Sequence, residues 1–141
     1  MRVSTTVRED VQESLLHCYR ALDDHSHEGF AAPFLPDGVF RSRYGDYKGR
    51  ATIAEFIREH IAQGREDGAR HFLSNFIFEA EDDGGVLVRC YLVKMCFDEP
   101  KAWVVGTSRL AIHYRRVDGK WQIALFELAM DLENPQRKAP Y

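Results

Sequence analysis

The sequence has few cysteines and no long apolar run, and both shortages narrow the class of protein. Its three cysteines, Cys18, Cys90 and Cys96, form no CxxC pair. Cys90 and Cys96 fall on one predicted strand, about 20 Å apart at ~3.3 Å per residue, so they cannot form a disulfide. An odd, unpaired count is typical of a reducing compartment, and we predict a cytoplasmic protein. Since there is no run of about 18 apolar residues and no signal-peptide core, we expect no membrane partner.

An excess of positive charge is also lacking. The formal net charge is −3, and both signs are spread along the chain. Because nucleic-acid binding needs a basic surface, we expect no nucleic-acid partner. The sequence contains no nucleophile motif, no phosphate-cradling glycine loop and no dinucleotide fingerprint. These absences argue against the common nucleotide-dependent and covalent enzyme classes.

The first half of the chain carries apolar residues at helical spacing. With 141 residues, 45% of them hydrophobic, the chain suits one domain spanning 1–141. A capping box at Thr6 predicts the start of a first helix that runs to Asp23. Ser26 predicts the start of a short second helix, and Leu35-Pro36-Asp37-Gly38 predicts the turn that ends it. A third helix has an apolar stripe formed by Ile53, Phe56, Ile57 and Ile61.

The second half alternates apolar and polar residues with a period of two. Two hairpin turns, Asp82–Gly85 and Asp118-Gly119, divide it, and the second is a type I′ signal. Helices followed by a long antiparallel meander indicate an α+β fold, in which a twisted, curled sheet packs on the N-terminal helices and leaves a cone with an interior pocket. The predicted strands are Arg70–Glu81, Val86–Phe97, Val104–Val117 and Trp121–Asp131.

Several stretches, in this order, give the chain a resemblance to the NTF2-like superfamily and its SnoaL-like group. They are Tyr19–Asp23, Phe34–Phe40, Tyr47–Arg50, Arg70–Asn75 and Arg116–Ile123. The resemblance implies an NTF2-like cone that encloses a pocket for a hydrophobic small molecule. The group includes scytalone dehydratase, bile-acid dehydratase, lindane dehydrochlorinase, ketosteroid isomerase and polyketide cyclases, and the β subunits of ring-hydroxylating dioxygenases share its fold.

The dehydratase branch implies a candidate catalytic pair. In that branch a histidine that opens a long strand pairs with an aspartate at the end of the first helix, and the matching positions here are His71 and Asp23. A histidine oriented by a carboxylate suits a general base that removes a proton beside a leaving group. Such an elimination requires no metal and no cofactor. The alternative is that His71 and Asp23 only stabilise a strand and a helix end.

Other positions depart from the branch. Cys18 or Arg20 takes the place of a leaving-group tyrosine or aspartate, with Tyr19 adjacent. Cys90 or Tyr91 takes the place of a second histidine. Ser42 takes the place of the ketosteroid isomerase base, so that chemistry is disfavoured. We retain Tyr19 and Cys90 as candidate substrate contacts.

Two further polar residues are candidate substrate contacts. If Asp118-Gly119 forms a two-residue turn, Leu110 pairs with Glu127, and the carboxylate lies in an apolar row facing the pocket. A bulge would instead turn Glu127 outward. Asn75 lies four residues after His71, and it either orients a ligand or satisfies a bent backbone.

Two histidines and a glutamate lie close together in the connector after the first helix. His25, His27 and Glu28 resemble metal ligands, but a solvated connector is the favoured interpretation, and we predict no metal site.

Both faces of the sheet are apolar, with Leu73, Ile77, Cys90 and Leu92 predicted on one and Phe72, Phe76, Phe78, Tyr91 and Met95 on the other. A sheet covered on both sides indicates a homo-oligomer, either a dimer or a trimer.

The sequence thus favours a cofactor-independent lyase or isomerase that acts on a hydrophobic, cyclic or aromatic small molecule. Two alternatives stay open. One is a non-catalytic subunit resembling a dioxygenase β subunit, and the other is a module that binds a metabolite without converting it.

Overall fold

Three helices and a six-stranded curved sheet build the fold. The computed structural model describes residues 2–131. The helices are α1 (Thr5–Asp23), α2 (His27–Ala31) and α3 (Arg50–Ala62), and the strands are β1 (Phe34–Ser42), β2 (Gly45–Lys48), β3 (Ala69–Ala80), β4 (Val86–Asp98), β5 (Lys101–Val117) and β6 (Lys120–Met130).

The strands lie in the order β2-β1-β6-β5-β4-β3. All neighbours are antiparallel except β1 and β6, which pair in parallel. The β5–β6 hairpin pairs Arg116 with Trp121 as predicted. Asp118 and Gly119 both have positive φ, 51° and 77°, which is the conformation of a type I′ turn.

The hydrophobic core lies between the helices and one face of the sheet, here called the inner face. From α1, Val11 and Leu15 are fully buried, and from the sheet Ile112, Ile123 and Phe126 are. Burying an aliphatic or aromatic side chain of this size stabilises a fold by about 1.5–3 kcal/mol. α1 is therefore held on the inner face by apolar contact.

The sequence signal for the start of α2 is confirmed, and the one for the start of α1 is wrong. Ser26 is the N-cap of α2, as predicted, and its Oγ accepts a hydrogen bond from the Gly29 N–H at 3.1 Å. The N-cap of α1 is Ser4 and not Thr6, because the Ser4 Oγ accepts from the Val7 N–H at 3.3 Å. The predicted turn at 35–38 is also wrong: these residues lie within β1, where the register with β6 shifts.

A bulge in β3 changes which side chains face the core. The register with β4 shifts between Ser74 and Ile77, and Asn75 has φ +60°. This extra residue turns Phe76 and Phe78 toward the core and leaves Ile77 59% exposed. The predicted division of β3 between the two faces therefore fails beyond Ser74.

The outer face of the sheet carries exposed apolar side chains. Phe72 and Tyr91, on adjacent strands, are 51% and 52% exposed. A homo-oligomer that covers this face stays a prediction. Within the described part of the chain, none of the helices has the length and apolarity needed to cross a membrane.

Candidate functional site

A cavity opens between the helices and the inner face of the sheet. Its empty space is about 830 Å³, which includes the part that is open to solvent. Much of its wall is aromatic or aliphatic, with polar groups at a few positions. The polar side chains that line it include Tyr19, His60, Glu66, His71 and Lys94.

His71 and Asp23 meet beside this cavity. The Nδ1 atom of His71 lies 2.6 Å from the Asp23 Oδ1, and the His71 backbone N–H donates to Oδ2 at 3.3 Å. The two side chains are only 4% and 9% exposed. Because a carboxylate accepts from Nδ1–H, this contact leaves Nε2 as the unprotonated ring atom of the neutral imidazole.

The fold explains why two residues 48 positions apart meet. Asp23 is the last residue of α1, and His71 lies near the start of β3, which packs against α1. His71 pairs with Lys94 across β3 and β4, so both side chains lie on the inner face. The end of α1 and the start of β3 thus place the carboxylate and the imidazole side by side.

Tyr19 lies one helical turn before Asp23, and its ring lies beside that of His71. The two ring centroids are 5.0 Å apart. Burial raises the pKa of Tyr19 well above its ordinary value, and the nearby Glu66 and Asp23 carboxylates raise it further. The phenol therefore stays protonated at neutral pH and can act as a hydrogen-bond donor.

Glu66 is a site residue that the sequence analysis missed. It lies in the turn between α3 and β3, and it is 3% exposed. Its Oε1 accepts from Lys94 Nζ at 3.0 Å, and its Oε2 is 3.6 Å from Nε2 of His71. Gly64 and Gly68 bracket the turn, and both have positive φ, 76° and 67°.

Three hydrogen bonds fix the backbone around Glu66. The Glu66 carbonyl oxygen accepts hydrogen bonds from His25 Nε2 at 3.0 Å and from the Ala69 N–H at 3.2 Å. Lys94 Nζ also donates to the Arg65 carbonyl oxygen at 2.7 Å. These bonds fix the turn against β4 and the end of α1.

A family model for the SnoaL-like domain matches residues 3–127. The chain belongs to the SnoaL-like domain family. No curated protein matches it.

Solved structures share the architecture of this SnoaL-like chain. A protein of unknown function with a cystatin-like fold from Nostoc punctiforme has a TM-score of 0.83 at 21% identity, over 96% of this chain and 98% of the other. Aln2 from a Streptomyces species has a TM-score of 0.84 at 21% identity, over 93% and 95%. A Catenulispora acidiphila protein in complex with S-DNPA has a TM-score of 0.80 at 22% identity, over 91% and 96%. At these identities the similarity shows the fold, and it confirms the α+β, NTF2-like cone.

Three predicted substrate contacts of the SnoaL-like chain lie outside the cavity lining. Asn75 is exposed in the β3 bulge. Cys90 is buried in the core, where burial raises its pKa to about 12, so the thiol stays protonated. Glu127 pairs with Ala111 and not with Leu110, because the register of β5 and β6 shifts before it.

Glu127 points outward, and its carboxylate has charged partners there. Its carboxylate lies 3.4 Å from Arg41 Nη1 and 3.5 Å from His113 Nε2, and its side chain is 40% exposed. The bulge that the sequence analysis left open as an alternative is therefore present, and the predicted apolar row ends at Ile123. Glu127 belongs to an ion-pair network on the outer face.

Residues 2–131 contain no group of three or more histidine, cysteine or carboxylate side chains arranged to hold a metal ion. In the connector proposed as a possible ligand set, Nε2 of His25 is already engaged by the Glu66 carbonyl oxygen. His27 and Glu28 lie in the first turn of α2. The residues described offer no metal-binding arrangement at this connector.

Proposed function

We propose that this SnoaL-like protein is a cofactor-independent lyase or isomerase that acts on a hydrophobic small molecule. The observation that carries the proposal is the 2.6 Å contact between the buried His71 and Asp23 side chains at the wall of a mostly apolar cavity. A buried imidazole held by a carboxylate is a suitable general base, and an apolar wall strengthens electrostatic interactions with the charge that forms.

The proposed step is removal of a proton from a substrate carbon. Nε2 of His71 takes the proton, and the electron pair of the broken C–H bond forms a new carbon–carbon double bond. That shift either expels a leaving group from the neighbouring carbon or moves charge onto a carbonyl oxygen. The imidazolium formed at His71 is stabilised by Asp23, and it returns its proton to the leaving group or to another carbon.

Tyr19 is the proposed partner for the oxygen on which negative charge develops. Its raised pKa keeps the hydroxyl protonated, and its ring lies beside His71. No hydrogen bond joins this hydroxyl to the other described residues, so its donor capacity is available to a ligand.

The test is hydrogen–deuterium exchange at carbon, which does not require the leaving group to be known. Cyclic ketones and halogenated or hydroxylated cyclic compounds are incubated with the protein in D₂O, and loss of the C–H signal is followed by NMR. We expect His71→Ala to slow exchange about 10²–10⁴-fold and Asp23→Asn to slow it substantially. The matched control is His113→Ala, since His113 pairs with Glu81 on the outer face. Equal exchange rates in wild type and His71→Ala would exclude His71 as the base.

Ligand binding without turnover is the second candidate function. It is supported by the complex of the Catenulispora acidiphila protein with S-DNPA, which has the same fold. It predicts saturable binding of an apolar ligand that is recovered unchanged after long incubation, with no exchange at carbon.

A further inference from the structure

Glu66 is a buried cavity residue whose hydrogen bonds are incomplete. The side chain is 4% exposed. Oε1 accepts from Lys94, but Oε2 has no hydrogen-bond partner among residues 2–131. Its separation of 3.6 Å from Nε2 of His71 exceeds hydrogen-bond length. Because an unpaired buried carboxylate oxygen is costly, its presence at a cavity wall indicates a place where a donor binds.

The carboxylate is also held in place. The backbone of Glu66 is bonded to His25 and Ala69, and Oε1 is bonded to Lys94. Oε2 therefore cannot find a partner by a small rotation without breaking the contact with the ammonium. The acceptor is preorganised, which lowers the cost of binding a donor at this point.

The charges around the site restrict what the donor can be. With both carboxylates and the ammonium ionised, Asp23, Glu66 and Lys94 give the site one more negative than positive charge. An anionic ligand would add a second uncompensated negative charge in a poorly solvated place. A cationic ligand would neutralise this net charge, but it would lie beside the Lys94 ammonium, which is 3.0 Å from Oε1, and its charge would have to leave water for a mostly apolar cavity. An uncharged hydrogen-bond donor meets neither penalty.

We propose that Glu66 Oε2 binds a hydroxyl group of an uncharged substrate, beside the carbon that gives its proton to His71. This inference rests on the proposed function, and it names the substrate class: neutral, apolar cyclic molecules that carry a hydroxyl next to an acidic C–H bond. The hydroxyl proton stays on the substrate. The separation of 3.6 Å between Oε2 and Nε2 lets one molecule present its O–H to the first atom and its C–H to the second.

The experiment compares four probes that share a ring system and differ in one group. They are naphthalene, 2-naphthol, 2-naphthoate and 2-naphthylmethylammonium, each titrated into the full chain at neutral pH by calorimetry. We expect 2-naphthol to bind about tenfold more tightly than naphthalene, since a hydrogen bond to a charged acceptor is worth about that factor. The anion and the cation are expected to bind more weakly than 2-naphthol. Equal binding of naphthalene and 2-naphthol, or tightest binding of either ion, overturns the proposal.

A variant pair assigns the preference to Glu66. Glu66→Gln keeps the shape but removes the charge, and it should reduce the preference for 2-naphthol to about twofold or less. The matched control is Glu79→Gln, whose carboxylate pairs with Arg89 on the outer face and should not alter binding. An unchanged preference in Glu66→Gln contradicts the proposal. If Glu66→Gln fails to fold, equal binding of naphthalene and 2-naphthol by the wild-type protein still overturns the proposal.

The outcomes separate this inference from the proposed function. His71→Ala should retain the preference for 2-naphthol, because Oε2 stays in place, while its proton exchange is lost. Loss of exchange in His71→Ala together with equal binding of all neutral probes means that only the role of Glu66 is wrong. Full exchange in His71→Ala together with a Glu66-dependent hydroxyl preference means that only the catalytic role of His71 is wrong.

Discussion

His60 lines the cavity, and its burial controls its charge. Burial lowers its pKa below the ordinary value of 6.5. The Glu66 carboxylate acts against this by raising the pKa, and Arg65 and Lys94 lower it further. At pH values between the lowered pKa and 6.5, His60 is therefore protonated in the unfolded chain but not in the folded protein.

This difference predicts how stability depends on pH. The free energy of unfolding should fall as the pH drops below 6.5, because the unfolded state takes up more protons there, and this contribution should be constant above 6.5. Urea denaturation on both sides of pH 6.5 measures the slope. His60→Asn should flatten it, and the control His17→Asn should not, because the His17 side chain is 73% exposed. Identical slopes in wild type and His60→Asn would contradict the prediction.

At the scale of single residues, some site residues were predictable from the sequence and others were not. The His71–Asp23 contact was predicted from a resemblance that supplied both partners, and the structure brings them to 2.6 Å. Glu66 was missed because it lies in a turn, where no apolar period indicates which way a side chain points. Its carboxylate pairs with Lys94, which lies 28 positions away in the chain and carries no local signal.

At the scale of secondary-structure elements, bulges explain most of the wrong assignments. Both β3 and β6 have apolar residues on both faces, so their alternation does not fix a register. One extra residue in each strand then exchanges the faces: Ile77 and Glu127 turn outward, and Phe78 turns inward. Asn75 adopts the positive φ that the β3 bulge uses, and asparagine tolerates this conformation better than most residues.

The turn between α3 and β3 depends on Gly68, which yields a prediction for that element. Gly68 has φ +67°, and a Cβ there would overlap the carbonyl oxygen of Phe97. Gly68→Ala should lower the free energy of unfolding by about 3 kcal/mol, through backbone strain and through displacement of β4. Because the same turn carries Glu66, the variant should also lose the preference for 2-naphthol. Chemical denaturation and the probe titration measure the two effects.

Gly84→Ala is the matched control for backbone strain. Gly84 has φ +86°, but nothing lies within 4 Å of the position that a Cβ would take. Its substitution should cost about 1 kcal/mol, from strain alone. Equal losses in the two variants would mean that the contact with Phe97 contributes nothing.

At the scale of the whole molecule, the architecture was predictable because several independent signals agree. Helical spacing in the first half, alternation in the second and a type I′ turn at Asp118-Gly119 all specify helices packed on a long meander. The parallel pairing of β1 with β6 was not predictable, since it joins strands that are far apart in the chain. This pairing places Phe40 beside Phe126, and their ring centroids lie 5.1 Å apart in the core next to the cavity.

The outer face of the sheet yields the prediction for the assembled molecule. Phe72, Ile77 and Tyr91 are each more than half exposed, and apolar groups clustered on one sheet face are typical of a surface that another chain covers. We expect a homo-oligomer in which a second copy packs on this face, with a mass two or three times the 16.3 kDa of the chain in light scattering. Phe72→Ser combined with Tyr91→Ser should shift the mass to that of one chain, because it removes the apolar area that drives association. Leu16→Ser, at an exposed site on α1, is the matched control and should leave the mass unchanged. A wild-type protein that stays monomeric at high micromolar concentration would show that the exposed aromatic residues face solvent and not a partner.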